Sequence, residues 1–245
     1  MKGMIRIFQP VACLLALALV CRLDAMGAPD REELPQAPGG KALVAKVNGV
    51  ISPISSKYIS EAIEQAEKNN AACLVIELDT PGGLDDSMRA LIKRMLASKV
   101  PVVVYVSPAG SRAASAGAFI TIAAHVAAMA PGTAIGAAHP VALMQSGPMD
   151  TNMSAKVTHD AAAYIRSIAE KRGRNIAWAE AAVRESVSLS ETEALKKKVI
   201  DLIAPSVPAL LEAIDGRSVT VGEEAVKLKT KGIPTEEFRM NWRDE

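Results

Sequence analysis

The sequence predicts an α/β fold built around a parallel sheet. Apolar β-type runs begin near residues 42, 71 and 100, a spacing of about 29 residues. A helical pattern or turn follows each run, as in right-handed β–α–β crossovers. The second and third runs, residues 71–78 and 100–106, are almost continuously apolar, as strands covered on both faces are. A repeat of this kind suits either a layered α/β enzyme or a superhelical spiral of β-β-α units.

The chain has 245 residues. Lys2 and Arg6 precede a short apolar run from Val11 to Cys21, the pattern of an export signal ending near Ala25. An uncleaved membrane anchor is the alternative. Residues 1–25 are therefore read as a signal peptide and 26–41, rich in Pro, Gly and charge, as a linker. The body, 42–215, is one domain. Residues 42–51 are a strand and 55–69 an amphipathic helix with Ile59, Ile63 and Ala66 on one face. Residues 71–78 form the second strand, 84–98 a helix carrying Met88, Leu91, Ile92 and Leu96, and 100–106 the third strand. The next helix runs to about Ala124, and 133–141 holds short strand pieces. Residues 145–153 are polar and irregular, a candidate flexible loop. A helix over 156–172 ends at Gly173, in the position where a left-handed residue terminates helices. A short helix, 176–185, follows. Ser190 and Glu193 have the spacing of a capping box opening a helix to about Lys197. Residues 199–204 are a last core strand and 207–214 a peripheral helix. Beyond them, 216–245 forms a small β-ribbon (218–221 with 225–230) and a tail.

Lys and Arg number 28 against 27 Asp and Glu, and aromatics are 3%. That balance gives no pull toward nucleic acid and few rings for stacking. Cys13 and Cys21 lie in the leader, so Cys73 has no disulfide partner in the body. No His-x-x-x-His, Cys-x-x-Cys or phosphate-loop pattern occurs; neither a metal nor a cofactor is expected.

The chemistry concentrates at two strand-to-helix turns. Ser115 lies among Ala113, Ala114, Ala116 and Gly117, small residues that let a substrate approach its hydroxyl. At a helix start, free N–H groups and the helix dipole favour an oxyanion. The Asp79–Leu84 turn carries Gly82 and Gly83, which can aim a second N–H at the same point. Gly83 and Ala116 are the expected oxyanion donors. An ordinary tight turn and a packing serine are the plain alternatives. Activating Ser115 needs a base. His125 reads as a helix-end or core residue and His159 as a solvated one. His139 and Lys156 remain. A lysine acts as a base only when neutral, a form that burial in an apolar cleft favours.

The runs 76–84, 113–117 and 130–137, with 156–175 and 189–203, resemble the NfeD family, the stomatin-operon partners. Their protease domain is related to Clp protease and signal peptide peptidase A. The resemblance covers about residues 42–215. It implies a ClpP/crotonase-like superhelix of β-β-α repeats and a serine endopeptidase with a Ser–Lys dyad. Ser115 falls on the nucleophile, Lys156 on the base, and Gly83 and Ala116 on the oxyanion positions. His139 lies near the histidine of the Clp relatives, so a Ser–His pairing competes. The implied substrates are hydrophobic protein segments, notably of a stomatin-like membrane partner. A homodimer or higher oligomer, at the periplasmic or other extracytoplasmic face of the membrane, is also implied. Longer members continue past a segment like 241–243 into transmembrane helices and a β-barrel domain, so this chain, ending at Glu245, is expected to be a truncated or short form. Lys198 stands where the family often has a left-handed Gly, at a cost of about 1 kcal/mol if that geometry is kept. The readings from other classes are a non-catalytic scaffold that binds stomatin-like proteins and a crotonase-type acyl-CoA enzyme; the export signal disfavours the latter.

Overall fold

A computed structural model describes residues 40–140 and 151–239. The expected signal peptide and nearly all of the linker lie outside the described residues. The core is a six-stranded sheet in the order β11-β1-β2-β3-β5-β8. Its members are β1 (Ala42–Asn48), β2 (Cys73–Asp79), β3 (Val102–Val106), β5 (Val126–Met129), β8 (Leu202–Ile203) and β11 (Thr235–Glu237). Every pairing in it is parallel. The α/β class and the parallel sheet expected from the apolar runs are what the chain adopts.

The continuous apolar runs have a simple cause. Alternate residues of β2 and β3 enter two separate cores. Leu74, Ile76, Leu78, Val102, Val104 and Val106 pack on one face with α1 (Pro53–Lys68), α2 (Asp85–Leu96) and α3 (Ala116–Ala123). On that face lie also α4 (Thr151–Lys171) and α5 (Ile176–Arg184). Cys73, Val75, Val103 and Tyr105 face the other core, with α7 (Val207–Ala213) and the ribbon of β9 (Ser218–Val221) and β10 (Glu224–Lys227). A strand buried on both faces has no polar side to alternate.

A second small sheet, β4-β6-β7, stands beside the first. It joins β4 (Arg112–Ala114), β6 (Ala134–Gly136) and β7 (Ser188–Ser190). Bridges Ile51–Gly83 and Thr80–Ala113 link the turns that leave the main sheet to this layer. Strands β1, β2, β3 and β5 thus each hand the chain to a short extended piece before a helix.

Four expectations need correction. The helix expected to open at Lys156 begins at Thr151, so Lys156 lies in its second turn and residues 151–153 are not loop; residues 145–150 lie outside the described residues. Asn152 and Ser154 are weak helix formers, yet the helix anchored by buried Ala161, Ala162, Ile165 and Ile168 extends back through them. The helix after Ser115 ends at Ala123, at its expected limit, but Ser115 precedes the helix instead of lying on it, and the unexpected alanine-rich β5 follows at once. The strand expected over 199–204 shrinks to Leu202–Ile203, because Val199 still belongs to the end of α6 (Glu191–Lys196) through its N–H to Ala194 O. Beyond the ribbon, the polar Thr235–Glu237 returns to pair with β1 at the sheet edge.

Candidate active site

The turn after β2 is tied down on both sides. Thr80, fully buried, donates its N–H to Arg112 O and accepts at its carbonyl from Ala114 N. Its hydroxyl oxygen accepts from Gly82 N and donates to Gly82 O, both at 3.0 Å. Ile51 N donates to Gly82 O, and Leu84 N donates to Ile51 O. This pairing leaves the Gly83 N–H directed away from Ile51, with no hydrogen bond among the described residues.

Both glycines are needed for close approach. A Cβ on Gly82 would lie 2.6 Å from the Cβ of Ser115, and its φ of +122° already disfavours a side chain. A Cβ on Gly83 would lie 2.0 Å from Ile51 O. The Gly-Gly pair is therefore set by its neighbours, beyond any need for a tight turn.

Ser115 is the residue before α3, at φ 52° and ψ −116°. A non-glycine residue held there carries strain, which persists where the surroundings over-determine it. The surroundings are visible: Ser115 N donates to Gly136 O of β6, and the following eight residues of α3 are all buried. The strained turn brings the half-buried Ser115 into a cleft. Its hydroxyl and the Ala116 N–H make no hydrogen bond among the described residues. The Ala116 N–H is one of the unpaired donors that begin any helix.

A cavity of about 480 Å³ opens at this point. Ser115, Ala116, Gly83 and Lys156 all line it, as do Leu84, Met88, Phe119, Val157 and Ala161. Four of the five residues singled out in the sequence thus meet around one cleft. His139 does not. Its Nδ1 lies 2.9 Å from Val183 O on α5, and its ring is outside the lining. Since a carbonyl only accepts, Nδ1 is the donor in this contact.

Lys156 is exposed and makes no ion pair among the described residues. The burial that the sequence argument asked for is not present in the open cleft. His125 lies between α3 and β5, buried, with Nδ1 accepting from Val102 N at 3.0 Å. Burial first, then the guanidinium of Arg172, push its pKa down to about 3. It is a structural histidine remote from the cleft lining. His159 is exposed, 3.3 Å from Arg184 through Nδ1.

Sequence reasoning missed one wall of the cleft. Arg89 of α2 also lines it, its guanidinium 4.4 Å above the Tyr164 ring. Tyr164 in turn stacks on Phe119 at 6.1 Å. Arg89 Nε donates to Asp85 at 2.7 Å, and its NH2 group donates to Asp160 of α4 at 2.5 Å. The elements that meet here are distant in sequence, and only the Asp85–Arg89 spacing of four was readable beforehand.

Fold and site together define an α/β domain with a parallel sheet and a serine-centred cleft at a strained strand-to-helix turn. The chain belongs to the NfeD family: the family model of the NfeD1b N-terminal domain matches residues 43–211. It is 39% identical over 178 residues to the membrane-bound protease PH1510 of Pyrococcus horikoshii, covering 73% of this chain and 40% of that protein. Over 83 residues it is 35% identical to the membrane protein NfeD1b of Bacillus subtilis, covering 34% of this chain and 18% of that one. The chain therefore spans less than half the length of either relative. A solved structure of the 1510-N membrane-bound stomatin-specific protease, a lysine-to-alanine mutant in complex with a substrate peptide, superposes with a TM-score of 0.77. The two share 35% identity over 84% of this chain and 94% of that one. A serine-to-alanine mutant of the same protease gives a TM-score of 0.77 over 82% and 99%.

Proposed function

We propose that the chain is a serine endopeptidase in which Ser115 is the nucleophile and Lys156 the general base. The observation that carries this reading is the strained backbone of Ser115, which brings its hydroxyl to a cleft shared with Lys156 and two unpaired N–H groups. Ser115 Oγ attacks the scissile carbonyl as the neutral Lys156 amine takes its proton. The developing oxyanion accepts from the N–H groups of Gly83 and Ala116, each such donor being worth on the order of a hundred-fold or more in rate. Lys156 then gives the proton to the leaving amine, and water hydrolyses the acyl-serine. Exposed Lys156 loses its water only when a substrate covers the cleft, so the occupant supplies the desolvation that neutralises the base.

Two further observations support the reading. The serine and the lysine replaced in the two 1510-N mutants are 41 positions apart, as are Ser115 and Lys156. Leu84 and Val157 line the cleft while remaining partly exposed, and exposed Met153 lies one turn before Val157, an apolar rim suited to hydrophobic protein segments. A stomatin-like membrane protein is the proposed substrate, by analogy with the stomatin-specific relative. The reading also includes self-association into a dimer or higher oligomer.

The test is cleavage of a quenched-fluorescence apolar peptide by the full chain. Ser115→Ala and Lys156→Ala are each expected to lower kcat/KM on the order of a thousand-fold or more. His139→Ala retains a measurable fraction, because its ring lies outside the cleft lining. A live Lys156→Ala beside a dead His139→Ala would replace the dyad with a Ser–His pair. Tight peptide binding without cleavage at any pH would establish the scaffold reading instead.

A further inference from the structure

The cleft contains four charged side chains, and their arrangement is not symmetrical about Lys156. Asp160 lies four residues after Lys156 on α4, so the two face the same side one turn apart. Both line the cavity, as do Asp85 and Arg89 from α2. A carboxylate four residues C-terminal to a lysine attracts its ammonium and holds the proton on it. No Lys156–Asp160 ion pair forms among the described residues. Asp160 is instead bound by Arg89 at 2.5 Å, and the same guanidinium binds Asp85 at 2.7 Å. Arg89 has little freedom to leave: its guanidinium lies on the Tyr164 ring, and its side chain is only 30% exposed against 68% for Asp160.

We infer that Arg89 is a positioning residue for the base: by clamping the carboxylates of Asp160 and Asp85, it keeps them from holding Lys156 in its protonated, inactive form. The inference rests on the reading of Lys156 as the base. The remaining groups that face Lys156 do not compete for this role. From the Ser115 turn and α3 they are Ser115, Ala116 and Phe119, and from the segment after β6 they are Ala138 and Pro140, none of them charged. His139 is bonded to Val183, and His159 is turned to Arg184. With Arg89 in place the lining holds two positive and two negative groups. Without it, two carboxylates face one lysine. The clamp also joins α2, which follows the Gly83 turn, to α4, which carries Lys156. Oxyanion donor and base are thereby held across one cleft.

The rate of a lysine-based peptidase rises with pH as the amine loses its proton. Arg89→Gln should move the midpoint of the kcat/KM–pH profile upward by about a few tenths of a unit, as expected for exposed charges one helical turn apart. Activity would be lost near neutrality and recovered at alkaline pH. Arg89→Lys, which keeps the charge, should return most of the shift, and Arg89→Gln/Asp160→Asn should return part of it. Asp160→Asn alone, an exposed replacement that leaves Arg89 in place, should move the midpoint downward; it carries the test if Arg89→Gln does not fold. The assay uses the full chain and the quenched-fluorescence apolar peptide, with thermal melting as the control for folding. A folded Arg89→Gln that is weaker by the same factor at every pH would show a merely structural role and overturn the inference. So would an unmoved midpoint in Asp160→Asn. If Lys156→Ala keeps the wild-type profile, the dyad reading itself fails and this inference with it. A dead Lys156→Ala beside unshifted Arg89 and Asp160 variants removes the inference alone.

Discussion

Ser115 and His125, ten residues apart, are constrained in opposite ways. Ser115 has a strained backbone and a free hydroxyl facing the cleft, held by Gly136 O at its N–H and crowded by Gly82. His125 has a fully committed ring, with Nδ1 on Val102 N and Nε2 3.3 Å from the Arg172 guanidinium. Its pKa near 3 makes it an acid-sensitive point. An unfolded chain takes up a proton on this ring near pH ~6.5. The native chain does so only near 3. The unfolded state therefore binds more protons across that window, and the stabilisation is complete above ~6.5 and lost as the pH falls toward 3. Denaturation curves should show a loss on the order of 3 kcal/mol from this site between about pH 7 and about pH 4. His125→Asn, which has no titrating group, should be less stable at neutral pH and show a shallower fall. An unchanged slope in the variant would contradict this, since a carboxylate of depressed pKa such as Glu67 loses its contribution only below its ordinary value of 4.5.

At the scale of the element, the ends of helices tell most about how local sequence meets the fold. The capping box at Ser190 and Glu193 is formed, with Ser190 Oγ accepting from Glu193 N and the Glu193 carboxylate accepting from Ser190 N. The left-handed Gly173 closes α4 at φ 64°. Lys198 takes the same geometry at φ 58° without being glycine. Its N–H reaches Leu195 O and the next N–H reaches Ala194 O, the paired bonds of a Schellman motif. The side chain is exposed, so nothing in packing requires a lysine. Lys198→Gly should raise the unfolding free energy by about 0.5–1 kcal/mol, relief of the left-handed strain exceeding the entropy that glycine adds to the unfolded chain. Urea denaturation measures it; a loss of stability would mean that Lys198 makes a compensating contact in solution. The opposite end of α4 is where sequence reading was weakest. Poor helix formers there hid a turn and a half of helix, and with it the true setting of Lys156.

At the scale of the molecule, the cleft belongs to no single segment. Gly83 follows β2, Ser115 follows β4, Lys156 comes from α4, and the second small sheet holds the turns between them. Exposed Val50 and Ile54 flank Ile51, which pairs with Gly83 beside exposed Leu84. This apolar rim supports the proposed self-association. Sedimentation velocity at micromolar concentration should give a species heavier than the monomer, and a strict monomer would remove that proposal. The proposed extracytoplasmic location rests on the charged start and apolar run of the first residues; among the described residues no helix is long and apolar enough to cross a membrane. A reporter enzyme that works only outside the cytoplasm, fused after Glu245, should be active, and an inactive but stable fusion would contradict the location.

The sequence by itself determined the parallel α/β core, most helix limits, and the two turns that matter. Each of these is written locally: buried strands need continuous apolar residues, caps need particular side chains, and close approaches need glycine or alanine. It also brought out Ser115, Gly83, Ala116 and Lys156, with His139 as a competing base that residue type alone does not exclude. Only the tertiary structure turned the His139 ring to Val183 and brought Lys156 to the cavity. Only it added β11 to the sheet and set Arg89 between Asp85, Asp160 and Tyr164. These last features depend on which surfaces meet across α2, α4 and β1, and a contact between segments some seventy residues apart has no signature in either segment alone.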